Sequence, residues 1–148
     1  MRSREALTIL RRMSMKTIAT CEAPSAIGPY SQAVLLERSG GTTLYCSGQI
    51  ALDAATGDLV RGDIAAQTER VMQNIEAVLR AAGLGFEHVV KATIFLVDLA
   101  DFARMNEVYG RKFSGRYPAR STVQVAALPR GALVEIDVTA EGPQGRGL

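Results

Sequence analysis

Residues 88–99, with the sequence HVVKATIFLVDL, form a run in which almost every side chain is apolar or β-branched. Such a run is typical of a central strand covered on both faces, because a half-exposed strand alternates polar with apolar residues. The rest of the chain must therefore supply the neighbouring strands and the layers that cover them. With 148 residues, 47% of them hydrophobic, the chain is long enough for one domain with its own core.

Two stretches beside this run have the periodicity of amphipathic helices. Between residues 64 and 82, apolar side chains recur every three or four positions; Asp63 precedes them as a helix cap and Gly83 follows as a stop signal. A second helix is predicted to begin after Asp101, again with the aspartate as its cap. Its apolar stripe consists of Phe102, Met105, Tyr109 and Phe113. We interpret this stripe as core packing and not as a cofactor site.

Further strands are predicted before the first helix and after the second. Residues 33–36 and 42–46 flank Ser39-Gly40-Gly41, which indicates a β-hairpin. Residues 118–138 contain two more apolar runs, which can pair as a hairpin through LPRG. The order is therefore β-β-α-β-α-β-β, an α+β fold in which two helices pack on one face of a mixed sheet.

Two charged side chains stand within the last two predicted strands. In residues 133–140 apolar and polar side chains alternate, so that Glu135 points away from the core. Arg120 shares the parity of Thr122, opposite to that of Val123. If the two strands pair as a hairpin, Arg120 and Glu135 could lie on the same polar face, although the sequence does not fix their register.

Two short polar stretches indicate ligand contacts. IGPYSQA places Tyr30 after a Gly-Pro turn, where its hydroxyl can be held over a cleft, and YCSGQI places Ser47 and Gly48 at a strand end, where backbone N–H groups and a small hydroxyl can face a ligand. Ordinary structural interpretations compete with these. Arg120 can be a surface ion-pair partner, Glu135 a solvated strand residue and Tyr30 an aromatic residue at the core edge.

Composition bounds the function classes. The net charge of +2 comes from 17 Lys+Arg and 15 Asp+Glu spread along the chain, and aromatic residues make up 5%, so nucleic-acid binding is unsupported. Cys21 and Cys46 form no CxxC pair, and the single histidine gives them no metal-site spacing. We expect both cysteines to be free thiols, which is typical of a reducing compartment and therefore of a cytoplasmic protein. We also expect no bound metal.

The first fourteen residues, MRSREALTILRRMS, are rich in arginine and contain too few apolar residues for a signal-peptide core or a membrane span. We expect residues 1–14 to form a disordered or extended tail; a mitochondrial transit segment is the alternative. A single domain is then expected over residues 15–141, followed by a flexible tail at 142–148. No membrane association is expected.

Over about residues 15–141 the chain resembles the Rid family, also called YjgF, whose members include enamine/imine deaminases. The similar stretches follow the family's order and include KTIAT, AIGPYSQA, SGQIALD, AAQTERVMQNI and PARSTVQVAALPRGALVEI. The resemblance implies a chorismate-mutase-like fold and a homotrimer with clefts between subunits. It also implies hydrolysis of reactive 2-imino and 2-enamino acids to 2-oxo acids and ammonia, without a cofactor.

The resemblance further implies roles for individual residues. Arg120 of PARS would bind the substrate carboxylate, Glu135 would orient or activate water, and Tyr30 would be the third catalytic residue. The additional residues implied in substrate binding are Ser47, Gly48, Asn106 and Thr122. These residue types suit the chemistry, because a guanidinium binds a planar carboxylate through two parallel bonds and a carboxyl group can take a proton from water and return it.

One position departs from the family's pattern. The family often has a cysteine two residues after its arginine, where this chain has Thr122. This departure favours one alternative, a non-catalytic trimer that binds small carboxylates. The resemblance itself leaves a second alternative open, an endoribonuclease or translation inhibitor, because that role is attached to some members of the family.

Overall fold

The computed structural model describes residues 13–143, and over these residues the chain forms six strands and two α-helices. The elements are β1 (Ser14–Ile18), β2 (Ala33–Arg38), β3 (Gly41–Cys46), α1 (Ile64–Ala81), β4 (Val89–Leu96), α2 (Phe102–Gly110), β5 (Ala119–Gln124) and β6 (Val134–Gly142). Most of the two predicted tails lies outside the described residues. Ser14 and Gly142, which the prediction assigned to the tails, are the first residue of β1 and the last of β6.

The strands form one mixed sheet in the order β1-β2-β3-β6-β4-β5. Only the β4–β5 pair is parallel, and every other neighbouring pair is antiparallel. The α+β fold with a mixed sheet and two helices is therefore confirmed, as is the β2–β3 hairpin. The prediction omitted β1, because its polar residues give no apolar run; this strand is held by its backbone pairing along β2.

The core lies between the sheet and the helices. In β6 the apolar residues alternate with polar ones, and the apolar set is at most 1% exposed: Val134, Ile136, Val138 and Ala140. Ala92, Ile94 and Leu96 of β4 are fully buried on the same side of the sheet, against α1 residues such as Val71 and Ile75. Each buried aliphatic side chain contributes about 1.5–3 kcal/mol relative to its exposed state. We call this side of the sheet the helix face and the opposite side the open face.

The ends of α1 confirm the signals read from the sequence. The Asp63 side chain accepts a hydrogen bond from the backbone N–H of Ala66 at 3.0 Å, which satisfies one of the free donors of the first turn. After the last turn, Gly83 adopts a left-handed φ of 74°, and the N–H of Leu84 donates to the carbonyl of Leu79 at 2.9 Å.

The start of α2 differs from the prediction. Asp101 has helical backbone angles and makes no capping hydrogen bond, so its predicted role as the cap is wrong. Asp98 takes that role instead, since its carboxylate accepts from the N–H of Ala100 at 2.8 Å and begins a 3₁₀ turn that leads into α2. Both aspartates come shortly before the apolar stripe of α2, so the sequence alone does not show which of them is the cap.

Two strand predictions also need correction. β5 and β6 do not form a hairpin, because β4 lies between them and pairs parallel with β5 and antiparallel with β6. β4, α2 and β5 instead form a crossover unit, which connects parallel strands through a helix. In addition, β4 is fully buried only on the helix face, since its open-face residues, such as Phe95, are half-buried. Within the described range, neither helix is long and apolar enough to span a bilayer.

Candidate functional site

The strand register places the two predicted key residues on opposite faces of the sheet. The Cα of Arg120 pairs with Ala92, which is buried against the helices, whereas the Cα of Glu135 pairs with Phe95 on the open face. Paired residues on neighbouring strands project to the same side of a sheet. The expectation that Arg120 and Glu135 share one polar face is therefore wrong within a single chain.

Arg120 lies against the side of α2 that faces the sheet. Its Nη1 donates to Oδ1 of Asn106 at 2.5 Å, and its guanidinium carbon lies 5.4 Å from the ring centre of Phe102 and 5.2 Å from that of Tyr109. The three α2 residues occupy positions i, i+4 and i+7, which project from one side of a helix. The structure thus brings together Arg120 and Asn106, both predicted as site residues.

An open cavity of about 490 Å³ adjoins this cluster, and we call it the Arg120 pocket. Its walls are formed by Asn106, Tyr109, Gly110, Tyr117, Pro118 and Arg120. Among the described residues, no carboxylate lies within ion-pair distance of the Arg120 guanidinium. A permanently charged fork without an acidic partner, in a pocket with aromatic walls, is suited to bind a planar anion.

The aromatic wall of the pocket continues into the core. Tyr109 is only 4% exposed, and its ring centre lies 4.9 Å from that of Phe113, which in turn lies 6.2 Å from Tyr117. Burial raises the pKa of Tyr109, although the charge of Arg120 acts in the opposite direction. The sequence identified Tyr109 and Phe113 as a core stripe, which is correct, but gave no signal that Tyr109 also lines a pocket.

Glu135 lies on the open face beside the chain segment that follows β3. Gln49 and Ile136 exchange backbone hydrogen bonds of 2.9 and 3.1 Å, which places Gly48 directly against the Glu135 side chain. A Cβ built on Gly48 would overlap the carboxylate and lie 3.0 Å from its carbon. Gly48 and Glu135, predicted separately from the sequence, are therefore neighbours, and only glycine leaves room for the carboxylate in this position.

Ser47, next to Gly48, is hydrogen-bonded to the loop before β2 that carries Tyr30. The Ser47 N–H donates to the carbonyl of Gln32 at 2.9 Å, and its hydroxyl donates to the carbonyl of Ser31 at 2.5 Å. Tyr30, next to Ser31, is 52% exposed and lines a second groove of about 500 Å³. The loop is fixed by the buried Gln32 amide, which donates to the carbonyl of Pro24 at 2.8 Å. Tyr30 thus lines a groove that is separate from the Arg120 pocket, and the described walls of that groove do not include Ser47 or Glu135.

The surroundings of Glu135 raise the pKa of its carboxyl group. Burial raises the pKa of Glu135, and the negative charge of Asp137, two residues along the same face of β6, raises it further. Burial also raises the pKa of Asp137, against the hydrogen bond from Thr93 and the charge of Lys91. A carboxyl group whose pKa lies closer to neutrality is better suited to take a proton from water and return it. Across residues 13–143 there is no cluster of three or more metal-binding side chains.

Thr122 does not join either group. It lies on the helix face, where its Cα pairs with Ile94, and its hydroxyl is buried without a hydrogen-bond partner among the described residues. The walls of the Arg120 pocket do not include it. In the structure, therefore, the Thr122 hydroxyl is buried beside the helices and does not line the Arg120 pocket.

Comparisons with known proteins show that almost the whole described range of this chain is similar to one protein family. Residues 20–142 match the family model described as endoribonuclease L-PSP. The chain is 61% identical over 131 residues to Protein DfrA of Myxococcus xanthus, covering 88% of this chain and 98% of that protein. It is 50% identical over 129 residues to the 2-iminobutanoate/2-iminopropanoate deaminase of Bos taurus, and the match covers 86% of this chain and 91% of that protein. A solved structure of YyfA from Yersinia pestis, a protein of unknown function in the conserved Rid family, is also similar. Its TM-score against this chain is 0.80 and its sequence is 50% identical, and the match covers 86% of this chain and 98% of that one.

Proposed function

The chain belongs to the endoribonuclease L-PSP family, also called Rid or YjgF, and from this premise we propose that it hydrolyses 2-imino acids, and their 2-enamino tautomers, to 2-oxo acids and ammonia. A relative with 50% identity is named for this activity. The observation that carries the proposal is the Arg120 guanidinium, which lies in an open pocket without an acidic partner among the described residues.

Arg120 would bind the substrate's carboxylate. Asn106 accepts a hydrogen bond from one guanidinium nitrogen of Arg120 at 2.5 Å. The remaining N–H groups are available for two parallel charge-assisted bonds to a carboxylate. A lysine would supply the charge but not this planar fork. The role of Arg120 would thus be to fix the orientation of the C=N group relative to the acid end of the substrate.

Glu135 would handle the water. As water attacks the carbon of the protonated imine, a C–O bond forms, the C=N π pair moves to nitrogen and the Glu135 carboxylate takes a proton from the water, which gives a neutral carbinolamine. Glu135 then returns that proton to the amino nitrogen; the C–N bond breaks, its electron pair leaves with ammonia, and the carboxylate takes the hydroxyl proton as the C=O bond of the 2-oxo acid forms. One positioned acid/base group contributes about 10²–10⁴-fold to such a step. Tyr30 and Ser47 would line the site next to Glu135.

These roles require two copies of the chain, because Arg120 and Glu135 face opposite sides of the sheet. The proposal therefore includes a homotrimer whose sites lie between subunits, with Arg120 from one copy and Glu135 from the next. Large apolar side chains on the open face support self-association: Tyr45 is 48% and Val123 44% exposed.

The activity can be tested by the release of ammonia from imines that an amino-acid oxidase generates in the same cuvette. We expect purified wild-type protein to accelerate the disappearance of the imine and the matching release of ammonia. Arg111→Ala serves as the control for changes at arginine, since Arg111 is exposed on α2 and pairs with Glu107. If the wild-type protein gives no acceleration with imines of several side chains, the proposed reaction is wrong.

The shared site can be tested with mixed trimers. Arg120→Ala and Glu135→Gln proteins, each expected to have strongly reduced activity alone, are mixed, unfolded and refolded together, and the product is sized by light scattering. If one subunit provides the arginine and another the glutamate, about a quarter of the sites in a random mixture carry both groups, and activity returns to that fraction. No recovery, with an active refolded wild-type control, would show that both groups act from one subunit.

A second function is supported by one observation: the described walls of the Arg120 pocket contain no carboxyl group. A trimer that binds small carboxylates without converting them would need only this pocket. Calorimetric titration with 2-oxobutanoate distinguishes the two functions. Saturable binding together with turnover supports the deaminase, whereas binding without turnover supports the non-catalytic function.

A further inference from the structure

We propose that Tyr109 and Phe102 are positioning residues that hold the Arg120 guanidinium ready for the substrate carboxylate, and that Tyr109 acts through its ring and not through its hydroxyl. This inference rests on the proposed function, in which Arg120 binds that carboxylate. It assigns a binding role to two residues that the sequence identified only as core packing.

The geometry of the cluster carries the first half of the inference. The guanidinium carbon of Arg120 lies 5.2 Å from the ring centre of Tyr109 and 5.4 Å from that of Phe102, both within the range of attraction between a cation and an aromatic ring. Asn106 lies between the two aromatic residues on α2 and accepts one hydrogen bond. Two rings and one amide therefore define where the guanidinium lies.

Such positioning is needed because, among the described residues, the only other restraint on the charged group is the single hydrogen bond to Asn106. An arginine side chain has several rotatable bonds and loses most of their freedom when it is held in one conformation. Here no ion pair restrains Arg120, so without the rings the substrate itself would have to order the side chain on binding. A guanidinium that is already ordered makes two parallel bonds to a carboxylate at a smaller entropic cost.

The environment of Tyr109 carries the second half. Its hydroxyl is buried and has no hydrogen-bond partner among the described residues, and the side chain is 4% exposed. A phenolic hydroxyl in this state makes no favourable bond that a substitution could remove. The contact with Arg120 is made by the ring, which phenylalanine would retain. The conservative variant therefore separates an effect of the ring from an effect of the hydroxyl.

The experiment compares Tyr109→Leu, Tyr109→Phe and Phe102→Leu, with Phe113→Leu as the matched control. Phe113 packs on Tyr109 in the same aromatic cluster, but the rings that lie within cation–ring distance of Arg120 are those of Phe102 and Tyr109. Imine hydrolysis is measured as kcat and KM, 2-oxobutanoate binding by calorimetry, and folding by thermal melting. Phe102→Leu keeps the test decisive if Tyr109→Leu does not fold, since Phe102 is only half-buried.

We expect Tyr109→Leu and Phe102→Leu to raise KM and the Kd for 2-oxobutanoate by about 3- to 30-fold, the range that the loss of a cation–ring contact implies. Their kcat should change by less than about twofold, because a contact made equally in ground and transition states affects binding alone. Tyr109→Phe should retain the wild-type KM, and so should Phe113→Leu.

The inference is overturned if both leucine variants keep the wild-type KM, or if Tyr109→Phe raises KM as much as Tyr109→Leu. These outcomes differ from failure of the proposed function, in which the wild-type protein itself does not accelerate imine hydrolysis. In that case 2-oxobutanoate binding decides: a weaker Kd in the leucine variants alone supports the positioning role, and no binding by the wild-type protein refutes it.

Discussion

Replacing Gly48 by alanine tests whether the position of the Glu135 carboxylate matters for the reaction. A Cβ on Gly48 would lie 3.0 Å from the carboxylate carbon and 3.1 Å from Cγ of Glu135, and it would overlap the nearer oxygen. The carboxylate must therefore move, and a displacement of about 1 Å at a reacting group can reduce the rate by about 10²-fold. We expect kcat of Gly48→Ala to fall by roughly this factor.

Stability should change much less than the rate. Gly48 does not have a left-handed φ, so alanine can adopt its backbone conformation, and the displaced group is the end of a flexible side chain. Moving a side chain about 30° off its rotamer costs about 0.5–1.5 kcal/mol. A loss of 1 kcal/mol lowers Tm by roughly 2–4 °C for a chain of this size.

The assay combines initial rates of ammonia release with thermal melts of the same preparations. Gly40→Ala is the matched control, because a Cβ on Gly40 meets nothing within 4 Å and its backbone is also compatible with alanine. If Gly48→Ala keeps the wild-type kcat at an unchanged Tm, the carboxylate of Glu135 has no positional role, and the proposed handling of water by this group is refuted.

Three further predictions concern the charged and sulfur-bearing groups. Arg120→Ala should abolish measurable imine hydrolysis with an unchanged far-ultraviolet circular dichroism spectrum, whereas Arg111→Ala should retain activity. Glu135→Gln should lower kcat more than it weakens binding of 2-oxobutanoate. In the wild-type protein, kcat/KM should fall as the pH is lowered through the pKa of Glu135, because the carboxylate is then protonated and cannot take a proton from water. Burial raises this pKa above the ordinary value of a glutamate. Iodoacetamide at pH 8 should label the exposed Cys21 in the native protein but Cys46 only after unfolding, because Cys46 is buried and burial raises the pKa of its thiol to about 12.

Each of these predictions has an outcome that contradicts it. Full activity of Arg120→Ala would remove the carboxylate-binding role, and an acid limb of kcat/KM within the range of a solvated glutamate would show that another group titrates. For the thiols, native labelling of Cys46 at the rate of Cys21 would show that the β3 end opens readily. The raised pKa of Cys46 also makes the stability of the fold depend on pH. The folded state holds the Cys46 proton more tightly than the unfolded state, so the contribution of this thiol to stability is complete below the unfolded thiol's pKa and is lost as the pH rises toward 12.

Local signals predicted most of the fold because each depends on residues close together in sequence. The Asp63 cap, the Gly83 stop and the turn at Ser39-Gly40 are decided within one helical turn or one hairpin, and the structure confirms them. The pairing of β5 with β4 depends instead on how the crossover through α2 returns to the sheet. Local pattern cannot determine that return, and the β5–β6 hairpin was therefore predicted wrongly.

The same limit explains why the sequence allowed Arg120 and Glu135 to share one face. Parity along β5 was interpreted on the rule that valine faces the core, which would place Val123 inside and Arg120 outside. The register shows the reverse: Arg120 packs against α2, and Val123 is 44% exposed on the open face. The rule fails where a charged residue is stabilised by aromatic rings and a neighbouring amide, and where an apolar residue faces a surface that another subunit can cover.

This exception to the parity rule and the proposed chemistry have one physical cause. Because side chains alternate along β5, Arg120 and Thr122 face the helix layer and Val123 faces the open side, where its exposed side chain favours association with another copy. In the proposed trimer, this association brings the open face, with Glu135, against a neighbouring subunit. If that neighbour presents its Arg120 pocket at the same boundary, the substrate is held by one chain and hydrolysed by the other, so that an isolated subunit could bind a carboxylate but lacks the group that activates water for it.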